Sequence, residues 1–371
     1  MPRYILGGII FALLIASLGL FETKATELQS QSTSGIPVFE VDQNWPQIPA
    51  EWSLGDVSSV TVDTEDHVWV LHRPRTANPD NGSMVAPPVL ELDPSGRFLQ
   101  AWGGSTTVPE WPEREHGIHV DDEGNIWVGG NNCVGRNLPG LKNVSDDQLL
   151  KLTRTGTLVM QIGRSNNSQG NSDTRNTHQP ADAFVYTRTN EVFVADGYGN
   201  HRVIVFDATT GAFKRMWGGF GRQPIDADEC PPPAPTTVPN DGGLGPAQFG
   251  IVHGLRVSDD GLVYVADREH KRVQVFTIQG EFVDQVFIDR SNPETSRTAS
   301  SLGFSADAEQ RLLYVAGGRQ IAVLDRRTLA TIGSIQTGAH HMAVDSVGNI
   351  YTAQLGAPRS LQKLVFRGFA N

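Results

Sequence analysis

The chain has 371 residues, 39% of them hydrophobic and 19% charged, and a formal net charge of -11. That length allows one large domain or two ordinary ones, with a core too large to need a disulfide framework, which two cysteines could not supply anyway. The acidic balance and the lack of a Lys/Arg cluster argue against nucleic acid or an anionic membrane as partner, while 39 glycines and 22 prolines suit many short strands joined by turns.

Residues 1–25 come first. Arg3 precedes an apolar run from Ile5 to Phe21, and small residues lead up to Ala25. This reads as a secretory signal peptide. An uncleaved anchor is the alternative, and through it alone would the chain touch a membrane. No cysteine follows the run, which argues against a lipoprotein. In either case the rest is expected to be exported, periplasmic or secreted, where Cys133 and Cys230 could pair.

A unit then repeats: a strand, a tight turn rich in Asp and Gly, and a second strand ending in small residues. It begins at Val60 ("VTVDTEDHVWVLHR"), Ile118 ("IHVDDEGNIWVGGN"), Ala183, Leu255 ("LRVSDDGLVYVADRE"), Leu302 and Met342, which makes six copies. A second hairpin follows most of them, as in "VLELDPSGRFLQAWGG" and "VIVFDATTGAFKRMWGG". Each unit is therefore four antiparallel strands, a to d, and six such units predict an all-β, six-bladed β-propeller. A β-sandwich and a seven-bladed ring are the competing folds. The last copy is followed by one strand only, "LQKLVFRGFAN", and "IPVFEVDQNWP" is a spare strand ahead of the first copy. The spare strand is expected to complete blade 6 and close the ring, giving one domain over about residues 36–369 and a monomer that needs no partner.

Topology places the start of strand a near the axis, at the same end of the blade as the end of strand b. Counting five residues back from the turn gives His116, His253 and His340 in blades 2, 4 and 6, and Ser58, Ala181 and Ser300 in blades 1, 3 and 5. The rule selects His340 over its neighbour His341. One such histidine reads best as a strand cap or a backbone hydrogen-bonding group. Three in alternate blades of a ring, about 120° apart, point instead to a site for Zn²⁺ or another divalent transition metal. Arg73 and Arg268 occupy equivalent slots at the ends of strand b in blades 1 and 4, with Tyr198 one position later in blade 3. A tyrosine near cations can act as a general base, and arginine can hold a carboxylate or an oxyanion.

The stretches "VADREHKRVQVF" and "DGYGNHRVIVF" resemble the NHL repeat. From about Val41 to Phe287, and again around His340, the chain resembles the peptidyl-α-hydroxyglycine α-amidating lyase family. Its motifs are "HGIHVDDEGNIWV", "QPADAFV", "VADGYGNHRVIVF" and "VHGLRV…VADREHKRVQVF". The resemblance implies a zinc on three histidines matching His116, His253 and His340. It also implies a catalytic tyrosine matching Tyr198 and active-site arginines matching Arg73 and Arg268. The reaction would cleave the N–C bond of a peptidyl α-hydroxyglycine to a peptide amide and glyoxylate, so the substrate would be a peptide or small molecule. The family's structural calcium would take backbone carbonyls of Val60 and Ile118. Its aspartate ligand is here His341, which argues against calcium. The family's disulfide falls on His178 and Gly199, so it is lost, and Cys133 and Cys230 would form a different bridge if any. Insertions at 104–115, 132–148, 165–178 and 219–248 are expected to crowd the active face. A non-enzymatic propeller that binds a protein or glycan is the alternative function. A lactonase-like hydrolase is weaker, since no set of carboxylate and amide ligands occupies the equivalent slots.

Overall fold

The computed structural model describes residues 35–79, 82–226, 242–292, 297–356 and 360–370. Residues 1–25, read as a signal peptide, lie outside them, as does Cys230. Six four-stranded antiparallel sheets make up the propeller. Blade 1 comprises Val57–Val62, Val68–His72, Val89–Leu92 and Phe98–Trp102. Blade 2 comprises Glu115–Val120, Ile126–Gly130, Gln148–Leu152 and Leu158–Gly163. Blade 3 runs through Asp182–Tyr186, Glu191–Asp196, Arg202–Asp207 and Phe213–Trp217. Blade 4 runs through Val252–Val257, Leu262–Asp267, Arg272–Thr277 and Phe282–Phe287. Ser301–Phe304, Leu312–Ala316, Ile321–Asp325 and Thr331–Ile335 form blade 5. Blade 6 takes strands a to c from His341–Val344, Ile350–Ala353 and Leu361–Ala370, and its fourth strand is Ile36–Val41. That strand pairs along Leu361–Ala370, with Phe39 opposite Phe366, and closes the ring as the strand count implies.

The turn chemistry explains why each copy starts as it does. Asp121 accepts the N–H groups of Glu123 and Asn125 at 3.1 and 2.8 Å, and its other oxygen takes the Trp127 indole N–H at 3.0 Å. Asp63 repeats the pattern with Glu65, His67 and Trp69, and Asp345 repeats it with Val347, Asn349 and Tyr351. One carboxylate thus closes the a–b turn and fixes an aromatic on strand b.

Alternation along the strands builds the core between blades. In blade 4, Val263 and Val265 pack toward blade 3, whereas Tyr264 and Ala266 pack toward blade 5. Six apolar clusters result, one at each blade junction, including the junction of blades 6 and 1. The Asp and Arg of the "AD…HR" and "AD…KR" motifs clamp the connections. Arg202 is fully buried, pairs with Asp196 at 2.8 Å, and donates to the carbonyls of Asn171, Asp173 and Asn176. Arg272 pairs with Asp267 at 2.8 Å and donates to the carbonyls of Leu244 and Gln248. These arginines satisfy loop carbonyls that would otherwise be buried without partners.

Candidate metal centre and active face

His116 and His253 sit at bulges in strand a of their blades, where the pairing register with strand b shifts. His340 directly precedes strand a of blade 6 and donates its backbone N–H to Ala353 O at 2.8 Å. The three rings converge: their centroids are 4.9 Å apart for His116–His253, 4.8 Å for His116–His340 and 4.8 Å for His253–His340. Each Nδ1 reaches a backbone carbonyl of the next blade. His116 bonds Ala181 O at 2.8 Å, His253 bonds Ser300 O at 2.7 Å and His340 bonds Ser58 O at 2.7 Å. Those three residues are the equivalent slots of the odd blades. A carbonyl only accepts, so Nδ1 carries the proton and the Nε2 lone pair is left for another partner.

The glycine after two of these histidines has a packing reason. A Cβ on Gly117 would stand 2.4 Å from Ala181 O, and one on Gly254 would stand 2.9 Å from Ser300 O. At these two positions the carbonyl that orients the imidazole presses on the next residue, and glycine leaves room for it, whereas His340 is followed by His341. Burial, reinforced by the neighbouring histidines and arginines, holds all three imidazoles well below the ordinary histidine pKa. They are neutral donors at pH 7. His253 Nε2 is buried with no hydrogen-bond partner. Such an orphaned lone pair, aimed at two others, fits a nitrogen-loving divalent metal such as zinc.

His341, passed over by the slot rule, also belongs to the cluster. It is fully buried, its ring lies 5.1–5.5 Å from the other three, and neither ring nitrogen has a hydrogen-bond partner. Burial lowers its pKa to about 4. One nitrogen from each of the four histidines lies within 4.8 Å of the rest. This donor set does not suit calcium, which takes oxygen ligands. The carboxylate of Asp182, which acts on His341 electrostatically, is paired with Arg256 at 2.6 Å. Val60 and Ile118 are buried strand residues whose side chains belong to two different blade junctions.

Tyr198 follows strand b of blade 3. Its hydroxyl lies 2.9 Å from His116 Nε2 and accepts from Arg268 Nη1 at 2.8 Å. Arg268 is pinned along its other edge by Glu269 Oε1, at 2.8 Å from Nε and 2.6 Å from Nη2. Burial opposes its charge, but Tyr198 and Glu269 outweigh burial and raise its pKa above the ordinary value. Arg73 donates Nε to Glu115 O at 2.9 Å, and its Nη2 has no partner although the residue is 1% exposed. Burial lowers its pKa. A cavity of about 410 Å³ opens over this group, lined by Arg73, Tyr198, Arg268 and His340. The structure thus brings together all six side chains singled out in the sequence.

Three further arginines, Arg114, Arg136 and Arg297, line the same cavity. Burial and then the proximity of Arg73 bring Arg114 down to a pKa of about 9. Arg114 lies two residues before His116, so the same slot counting could have found it. Arg136 and Arg297 lie in loops with no repeat register and carry no such signal. Gly199 N–H donates to His178 O at 3.1 Å, and the His178 ring fills the space a Cβ on Gly199 would need. Cys133 is buried and is not a free thiol.

Comparison with known proteins agrees with this geometry. The NHL repeat model matches residues 249–276, which span strands a to c of blade 4. The chain is an NHL-repeat propeller that resembles the amidating lyases. It is 28% identical over 264 residues to peptidyl-glycine alpha-amidating monooxygenase B of Xenopus laevis, covering 67% of this chain and 26% of that protein. It is 25% identical over 332 residues to a probable peptidyl-alpha-hydroxyglycine alpha-amidating lyase of Caenorhabditis elegans, covering 83% and 82%. It is also 25% identical over 345 residues to NHL repeat-containing protein 3 of Homo sapiens, covering 88% and 84%. The propeller thus spans about a quarter of the frog protein's length but most of the other two. Among the described residues, no helix is long and apolar enough to cross a membrane.

Proposed function

We propose that this chain is an exported, monomeric, metal-dependent carbon–nitrogen lyase. In this reading it cleaves an N-acyl α-hydroxyglycine, such as a peptidyl α-hydroxyglycine, to an amide and glyoxylate. One observation carries the reading: the Tyr198 hydroxyl lies between His116 Nε2 and Arg268 Nη1, beside three convergent imidazoles and beneath an open cavity.

His116, His253 and His340 would hold the metal through Nε2, with Nδ1 of each kept protonated by the carbonyl it faces. A bound zinc supplies a Lewis acid that polarises the substrate hydroxyl. Tyr198 takes the hydroxyl proton, the C–O bond becomes the aldehyde of glyoxylate, and the C–N electron pair leaves on the amide nitrogen. That nitrogen gains a proton, so the products are the primary amide and glyoxylate with no other reactant. Arg268 donates Nη1 to the phenol oxygen and fixes its position, while the free Nη2 of Arg73 is available for the substrate carboxylate.

The test is incubation of metal-loaded protein with α-hydroxyhippurate and assay of glyoxylate. Release by the wild type, falling by about 10²–10⁴-fold in Tyr198→Phe, is the expected result. No release would remove the substrate assignment. The likeness to NHL repeat-containing protein 3, whose name states no reaction, supports a binding propeller as the second reading. That reading expects full partner binding after His253→Ala.

A further inference from the structure

The cavity is far more basic than the chain that forms it. Among the described residues, five guanidinium groups line it, from Arg73, Arg114, Arg136, Arg268 and Arg297, and no carboxylate does. The chain as a whole carries a formal charge of -11. Among the described residues, four acids near these arginines each have a partner of their own. Glu269 is held by Arg268. Asp146 accepts the backbone N–H groups of Glu113, Arg114 and Asn132 at 2.7–3.1 Å. Glu115 accepts the Trp111 indole N–H at 3.0 Å. Asp56 forms an ion pair with Arg73 Nη1 at 3.9 Å, too long for a hydrogen bond, and leaves Nη2 free. Donors are left over: Arg73 Nη2, Arg114 Nε, and Arg136 Nε and Nη2 are buried without a hydrogen-bond partner. A planar guanidinium with spare donors is a bidentate receptor for an oxyanion. One substrate carboxylate placed against Arg73 leaves Arg114 and Arg136 unused, both on the blade 2 side of the mouth.

We propose that the cavity takes a substrate with two anionic groups: the carboxylate beside the reacting carbon on Arg73, and a second carboxylate, phosphate or sulfate on Arg114 and Arg136. Only the first contact rests on the lyase reading. Within that reading, the favoured substrates are peptidyl α-hydroxyglycines with an acidic residue before the hydroxyglycine.

The experiment measures binding by calorimetry to the metal-loaded protein. The probes are N-acetylglycine, N-succinylglycine and N-acetyl-O-phosphoseryl-glycine, none of which carries the hydroxyl that cleavage needs. The wild type is expected to bind a doubly anionic probe at least about 10-fold more tightly than N-acetylglycine. Arg114→Gln with Arg136→Gln should abolish that preference and leave N-acetylglycine affinity within about twofold. Arg136→Gln alone, in a surface loop, should reduce the preference and guards against misfolding of the double variant. Which doubly anionic probe binds more tightly identifies the second group. Equal affinity for singly and doubly charged probes, a preference that survives the double variant, or no binding of any probe would overturn the proposal. Cleavage of α-hydroxyhippurate without the preference rejects this proposal alone. The preference without cleavage rejects the lyase reading alone.

Discussion

His72 and His253 are both fully buried, and burial lowers the pKa of both. They differ in what their second nitrogen does. His72 accepts the Gly55 N–H on Nδ1 at 3.1 Å and reaches Pro87 O from Nε2 at 2.9 Å, so both ends of its ring are satisfied within blade 1 and its entering loop. His253 satisfies Nδ1 on the next blade and leaves Nε2 bare, pointing where two other imidazoles point. Burial and neutrality alone therefore do not mark a functional histidine. An unspent lone pair, shared in aim with others, does.

The largest expected effect breaks this contrast at its strong end. His253→Ala should lower metal affinity by well over about 100-fold, while His72→Gln, which keeps a donor and an acceptor, should leave it nearly unchanged. Metal titration with a chromogenic competitor reads both. A smaller effect comes from the carbonyl that orients the ring. Gly117→Ala puts a Cβ against Ala181 O and should cost about 10–100-fold in affinity without changing any ligand.

Acid sharpens the comparison from the other side. The folded-state pKa of His72 is about 4, against an ordinary value of 6.5. Between those values the unfolded chain binds the proton and the native state does not. His72 therefore contributes stability in full above pH 6.5, and that contribution fades as pH falls toward 4, by at most about 3 kcal/mol. Urea unfolding of metal-free protein should show a shallower decline over that range in His72→Gln. The smallest effect is expected in the odd blades. They offer the clustered imidazoles backbone carbonyls, so Ser58→Ala and Ser300→Ala should leave metal affinity within about twofold and lower stability by only about 1 kcal/mol, for the lost hydrogen bonds to Leu71 O and Arg297 O. A large effect from either serine would mean that the odd slots act through side chains.

Much of this was legible in the chain because the fold repeats. Six turns beginning at Asp, Ser or Tyr set a common ruler, and that ruler located His116, His253 and His340 together with the carbonyl residues Ser58, Ala181 and Ser300. It could not show that the two sets bond each other, because hydrogen bonding across blades depends on the distance between sheets and not on position within one. The same ruler dismissed His341 as one residue out of step, yet its ring joins the cluster. His340 precedes strand a of blade 6 and His341 begins it. His116 and His253 instead lie at bulges within their strands. The arginines split the same way. Arg73 and Arg268 end repeated strands and were found, whereas Arg136 and Arg297 sit in loops whose path no period dictates.

The central claim is that alternate blades converge on a metal. It is tested most directly by elemental analysis of purified wild type beside the His116→Ala/His253→Ala/His340→Ala variant, both dialysed against a weak chelator. The account expects about one transition-metal ion per wild-type chain and none in the variant, with both proteins folded by circular dichroism. A wild type without stoichiometric metal, or a variant that retains it, would contradict the account.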